Sequence, residues 1–452
     1  MSADLVLRLA DYFQIAPSVL AEAHALFIGN PDTFLTSPVT RITEITSPHP
    51  TTSLQHHLSS VLKVSTPADF VVAIDILRSE RYLSSKESSR FLRLVYYLLR
   101  PVLSAPLRTW VHRSVFRSRR QQFPHWPIDC SVDQIHRHLL EITMRSLGLD
   151  EIPFIWFWPE GYSSALMMTH DVEEQQGAEH CTAVMDLDQS FGLSAAFQII
   201  PERRYQGVSN LIDEIRRRGF EVNLHDLDHD GRLYEDELKF KQRARKISDY
   251  AERFGIKGFR AGSMHRNQQW FGFLNVEYDM SVPNVAHLEP QAGGCCTVMP
   301  YFVGQLLELP LTTVQDHGLF YILQQSSIDL WKQQIETILQ YHGLISFIVH
   351  PDYVVREEVR HLYCRLLGEI VKLKQERRVW STVPGEINRW WRLRHEMQLS
   401  RTSTGWQIEG EGSERAKVAY ARLINDELTF WVGETNMKEQ TNGKSKLQIS
   451  RN

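Results

Sequence analysis

The sequence predicts an α/β protein whose parallel sheet closes toward a barrel. Three observations predict it. Past residue 160, short apolar runs alternate with longer stretches of helical spacing, the pattern of strands joined by crossover helices. Seven such runs fall within roughly 190 residues, the size of a slightly short barrel. Five of them end in acids, histidines or an arginine, and strand ends are where such folds collect functional groups.

A chain of 452 residues suggests two to three domains. Residues 1–155 read as a mainly helical region, with apolar residues at three- and four-residue spacing over Ser2–Ile15 and Val132–Leu147. Within it, Ser88–Pro127 holds no acid but eight arginines: Arg90, Arg93, Arg100, Arg108, Arg113, Arg117, Arg119 and Arg120. Two readings stay open for this stretch. It is a surface for anionic lipid or an acidic glycan, or a solvated face that pairs with acids elsewhere. The barrel spans 160–385. Its expected strands are Ala165–Thr169, Ala195–Ile200, Glu221–Leu224, Gly258–Arg260, Tyr278–Ser281, Leu306–Pro310 and Leu344–His350, with helices over Val208–Arg218 and Leu233–Phe254. Residues 386–434 form a small β segment. Trp390 and Trp391 end a helix before it, Gly405–Glu411 is a turn-rich strand, and Lys417–Leu423 pairs with Leu428–Val432 around Asn425-Asp426. The polar tail 435–452 is expected to be disordered.

Composition narrows the function. Fifty basic residues against 54 acidic ones give a net charge of -4, without the basic excess of a nucleic-acid binder. No apolar run approaches membrane-spanning length. Asp4, Arg8 and Asp11 interrupt the N-terminus, so no secretory core is read there. The expectation is a cytoplasmic protein, free or at the inner face of the membrane. Five irregularly spaced cysteines argue against a disulfide framework.

The strand ends carry the chemistry. His225 and His229 are four apart. In a helical turn both rings would project from one face as two ligands for one divalent metal. An acid from the first strand would complete the set. Zinc fits these ligands best, with cobalt, nickel or manganese as alternatives. Such an ion lowers the pKa of its water and polarises a carbonyl. The plain alternative is an acidic loop with two ordinary histidines. Asp171 and Glu173 are two apart and would point the same way from an extended segment. One can bind the ion while the other takes a proton. Arg260 could orient the basic carboxylate. His350 could protonate a departing amine, its second nitrogen held by Asp279 or Asp352. Asp316 and His317 follow the sixth strand without an evident role. Cys295 and Cys296 follow a Gly-Gly turn and lack an activating partner.

These residues together resemble the polysaccharide deacetylase family, the NodB homology domain or carbohydrate esterase family 4, over roughly 161–383. That family is a distorted seven-stranded (β/α) barrel with five strand-end motifs. Thr169-His170-Asp171-Val172-Glu173 stands where the family usually has Thr-Phe-Asp-Asp. Val172 takes the place of the metal-binding Asp, and relatives with an Asp-x-Asp variant point to Glu173 instead. His225 to His229 is similar to His-Ser/Thr-x-x-His, with Asp226 after the first His. Phe259-Arg260-Ala261-Gly262 looks like the third motif, with Trp270 as its aromatic wall. Tyr278-Asp279-Met280-Ser281 looks like the fourth, and Ile348-Val349-His350 like the fifth. The resemblance implies a metal-dependent hydrolase acting on a carbon–nitrogen bond other than a peptide bond. It would remove an N-acetyl group from an amino sugar or glycan, with Asp171 as base, Glu173, His225 and His229 on the metal, and His350 as acid. Two other readings accompany it: hydrolysis of a small amide or cyclic imide, and a non-catalytic glycan-binding protein on the same fold. The regions before 155 and after 385 would select substrate or partner.

Overall fold

The computed structural model describes residues 9, 11–16, 18–19, 67–83 and 123–433. The arginine-rich stretch expected at 90–120 and the tail expected at 435–452 lie outside the described residues. The elements run α1 (Pro67–Arg78), α2 (Ser131–Leu147), β1 (Glu151–Ile155), β2 (Ser164–Val172), α3 (Gln175–Ser190), β3 (Ala195–Ile199), α4 (Val208–Arg217), β4 (Glu221–His225), α5 (Glu237–Phe254), β5 (Gly258–Arg260), β6 (Tyr278–Asp279), β7 (Tyr301–Val303), β8 (Leu306–Glu308), α6 (Asp329–Gln340), β9 (Leu344–Ile348), α7 (Pro351–Val354), α8 (Glu357–Glu376), β10 (Val379–Ser381) and α9 (Pro384–Glu396). Two hairpins follow, β11 (Gln398–Thr402) with β12 (Gly405–Glu409), and β13 (Val418–Ile424) with β14 (Glu427–Val432).

The main sheet has nine strands, not seven. β9, β2, β3, β4, β5, β6 and β8 are parallel neighbours in that order. The two extra strands are β7, antiparallel on β8, and β10, parallel to the start of β2. Every residue of β2 is buried, as a strand covered on both faces must be. Alternation sorts its side chains. Leu166 and Met168 join Phe197, Leu224, Phe259 and Phe347 under the helices. Ala165 and Met167 join Leu307, Leu309 and Leu344 in a second core. Thr169 and Asp171 continue this second face toward the strand end. Helix α5 starts where the Asp236 carboxylate accepts from Lys239 N at 2.9 Å and stops at Gly255, whose φ of 60° ends it.

Among the described residues no ladder joins β8 to β9. Thr312 Oγ1 donates to the Leu344 carbonyl and Thr313 Oγ1 to the Ser346 carbonyl, each at 2.7 Å. Helix α2 packs beside this seam through one buried acid. Asp133 accepts from Tyr12 Oη at 3.0 Å, Thr297 Oγ1 at 2.7 Å and Val298 N at 3.0 Å.

The terminal regions are less separate than the sequence suggests. β1, expected within a helical region, pairs antiparallel with β13. Helix α9 runs past Trp390 and Trp391 to Glu396, because both tryptophans and Arg394 are buried on it. The β13–β14 turn is as expected, with Asn425 and Asp426 at φ 52° and 66°, the left-handed pair that a two-residue hairpin requires. Among the described residues no helix is long and apolar enough to cross a membrane.

Asp133 gives a stability test. Asp133→Ala removes the acceptor of the buried Val298 N–H, so unfolding should cost about 1–3 kcal/mol less. Denaturant titration should show a lower midpoint at unchanged slope. Burial pushes this carboxyl up to about 6 from an ordinary 3.8. Its folded state therefore binds the proton more tightly, and its contribution to stability fades as pH rises through 6. Asp133→Asn should flatten the stability–pH curve between those two values.

Candidate active site

β2 delivers Asp171, and the residue just past its end is Glu173. Both carboxylates face one centre, as their two-residue spacing requires. Glu173 Oε1 lies 3.1 Å from His229 Nε2, 3.4 Å from His225 Nε2 and 3.5 Å from His350 Nε2. Asp171 Oδ2 is 3.8 Å from His225 Nε2. Asp171 Oδ1 accepts from Arg260 Nη1 at 2.6 Å, and that pair is all but sealed from solvent. Arg260 also donates to Thr169 Oγ1 at 2.8 Å and to the Met280 carbonyl at 3.1 Å.

The two histidines meet by a route other than the one expected. The chain after β4 makes no helical turn. Asp226 and His229 instead take left-handed φ values of 58° and 52°. The resulting bend brings the two imidazole centroids to 4.9 Å. Asp226 builds it, accepting from its neighbour Leu227 N at 2.7 Å and from Gly262 N at 3.2 Å. Arg204, which the sequence did not single out, ties the Asp228 and His229 carbonyls at 3.1 and 2.5 Å. Gly262 must be glycine. A Cβ there would stand 2.5 Å from Asp226 Oδ2 and 2.7 Å from His229 Cδ2.

The acid that holds His350 is neither Asp279 nor Asp352. Asp316 does it, accepting from His350 Nδ1 at 2.6 Å and from His350 N at 2.7 Å. Asp279 lies elsewhere, bonded by Ser281 N and Oγ at 2.9 and 2.8 Å. Its neighbour is Glu308, whose carboxyl burial and the Asp279 charge push well up. Asp352 sits in α7, its carboxyl raised to about 6 by burial. Trp270 stacks on Tyr234 at 6.1 Å. Burial raises the Cys295 and Cys296 thiols, which leaves neither as a nucleophile. His170 turns away and meets Asp188 at 3.0 Å.

The electrostatics match the contacts. Burial alone raises the Glu173 carboxyl, but His229, His225 and His350 around it hold it well below the usual range. Burial also opposes ionisation of Asp171, and the Arg260 guanidinium, with His225 and His350, outweighs it. Burial disfavours a charged His350, yet Asp316 and Glu173 hold its pKa well up.

The donor set fits a divalent ion. Glu173, His225 and His229 each offer one ligand atom, all within 4.8 Å of one another. His225 Nδ1 faces the Arg260 carbonyl at 3.2 Å, which favours the proton there and leaves Nε2 with a lone pair to offer a metal. His229 Nε2 is buried and has no hydrogen bond of proper geometry, a costly state that a metal would relieve.

In comparisons with known proteins, no family model and no curated protein matches this chain. Among solved structures, a protein described as a polysaccharide deacetylase from Mycobacterium smegmatis is similar at 17% identity, over 54% of this chain and 96% of its own, with a TM-score of 0.43. Puue allantoinase is similar at 14% identity over 52% of this chain and 92% of its own, with a TM-score of 0.41. A CE4 family pseudoenzyme from Bacillus anthracis is similar at 12% identity over 51% and 66%, with a TM-score of 0.30. Identities this low leave the chemistry to this chain's own side chains.

Gly262→Ala offers the sharpest structural test. The added methyl should displace His229, and the purified variant should hold at least about tenfold less divalent metal while keeping its fold by circular dichroism. Metal content equal to wild type would show that the bend does not place this ligand.

Proposed function

We propose that the protein is a metal-dependent hydrolase that removes the acetyl group from an N-acetylated sugar. The observation that carries this reading is the Glu173 carboxylate at the meeting point of three imidazoles, beside a separately held acid, Asp171. Glu173, His225 and His229 would hold the ion, zinc by the chemistry of the set. A divalent ion there lowers the pKa of water and stabilises negative charge on a carbonyl oxygen.

The chain's own residues do the rest. Asp171, kept charged and oriented by Arg260, takes a proton from the attacking water. His350, oriented by Asp316, gives a proton to the nitrogen as the C–N bond breaks. Acetate and an amine leave. The division of labour follows from environment: one carboxylate faces imidazoles, the other a guanidinium. The sugar as substrate class comes from the strand-end motifs, Thr169 to Glu173 through His350, and their resemblance to the deacetylases.

Two outcomes are expected. Elemental mass spectrometry should find near-stoichiometric divalent metal in wild type and none in the His225→Ala, His229→Ala double variant. A wild type that stays empty after incubation with zinc, cobalt, nickel and manganese defeats the metal reading. Asp171→Asn should keep its metal and lose about 10²–10⁴-fold in turnover of N-acetylated sugars. Full turnover in that variant removes Asp171 from the role of base. A parallel panel of small amides and cyclic imides reads the substrate class directly.

A further inference from the structure

A strip of half-buried rings leads outward from His350 and takes no part in the steps above. Tyr353 lies one helical turn beyond His350, with ring centroids 4.9 Å apart. Tyr321 follows, 4.8 Å from Tyr353 at an interplanar angle of 52°. Both stand near His317, whose Nδ1 meets Tyr353 Oη at 3.1 Å and whose ring stacks on Tyr321 at 5.6 Å and 20°. His317 and Tyr321 belong to a π-helical turn, His317–Ile322, a rare geometry found often at functional sites. At the outer end Arg356 is exposed. It donates to Tyr321 Oη at 3.2 Å and lies 5.6 Å over the Tyr321 ring centroid. Glu357, next in the chain, leans down α8 toward His361 at 3.9 Å, and among the described residues no acid is ion-paired with Arg356.

Core aromatics are sealed, as Trp331 is behind the same turn, whereas these rings reach the surface beside the general acid. Ring edges that carry hydroxyls and a ring nitrogen suit a sugar, which has a polar rim. An exposed guanidinium anchored by one bond suits a carboxylate, which it can grip with two parallel bonds.

We propose that Tyr353, Tyr321 and Arg356 form a subsite for an acidic sugar, so the substrate is an N-acetylated glycan with a carboxylate on the ring next to the reacting one. The inference rests on the deacetylase reading and adds the neighbouring sugar. The test is calorimetric titration of full-length, zinc-incubated Asp171→Asn protein with two tetrasaccharides. One is hyaluronan tetrasaccharide, in which N-acetylglucosamine alternates with glucuronate. The other is chitotetraose, which is neutral. The acidic ligand should bind roughly tenfold tighter. Arg356→Gln should bring the two affinities to parity without weakening chitotetraose. Tyr321→Ala should weaken both by roughly tenfold, and Tyr321→Phe, which keeps the ring and loses the hydroxyl that steadies Arg356, should reduce the preference alone. Equal affinities in the parent, a preference that survives Arg356→Gln, or no binding of either ligand overturns the proposal. The two readings fail separately. Selective binding with no turnover of either ligand by the wild type sinks the hydrolase and keeps the subsite. Turnover of chitotetraose indifferent to Arg356 and Tyr321 does the reverse.

Discussion

The buried Arg260–Asp171 pair is the contact on which the site rests. Its two partners come from β5 and β2, and its third bond reaches the chain just past β6. Three contacts of the Arg260 guanidinium are met by acceptors while Nη2 is left without one, and leaving one partner of a buried pair alone costs about 3–5 kcal/mol. The structure spends this constraint on geometry. Asp171 gives one oxygen to Arg260 and keeps the other 3.8 Å from His225 Nε2. Glu173, one methylene longer, reaches three imidazoles at once.

That longer reach explains how a strand ending in Val172 can still set a carboxylate among three imidazoles. Val172 points the other way, into the core beneath the helices, as the alternation of a strand demands. Glu173 then stands on the same side as Asp171. The opposite half of the centre is equally determined by packing. Asp226 bends the chain, Gly262 gives it room, and Arg204 fastens its carbonyls, so His229 has little freedom to leave. Ligand spacing alone would permit several conformations. Here three neighbours select one.

Strand ends were legible in the sequence because burial on both faces writes continuous apolar runs, and because polar residues abruptly follow them. The pairing of His225 with His229 was legible as a spacing, but the bend that realises it was not, since it needs the room that Gly262, beyond the end of β5, leaves beside Asp226 and His229. Asp316 was visible at a strand end, yet its partner could not be named. Nothing local distinguishes it from Asp279, which is also a strand-end acid and turns instead to Glu308. Lettering can mislead as well. Asp226, Asp228, Asp230, Gly231 and Glu237 fall at the spacing of a calcium-binding loop. Arg243 nevertheless takes both Asp230 oxygens at 2.7 and 2.6 Å and approaches Asp228 at 3.4 Å, so a guanidinium stands where that spacing would put an ion. β1 was misread because a five-residue strand beside helices carries no period of its own, and its partner β13 lies more than 260 residues away.

Asp316 also has an architectural part. It lies past the end of β8, and His350 lies past the end of β9, on opposite sides of the seam that no ladder closes. The bonds from His350 N and Nδ1 to Asp316 therefore cross that seam at its upper end, above the threonine hydroxyls that cross it lower down. A backbone ladder would fix the two strands but leave the imidazole free to rotate. A carboxylate that accepts from both the backbone and the ring fixes strand and ring together. Joining the two strands and orienting the His350 ring are thus one interaction, and a seam without a ladder among the described residues is what makes room for it.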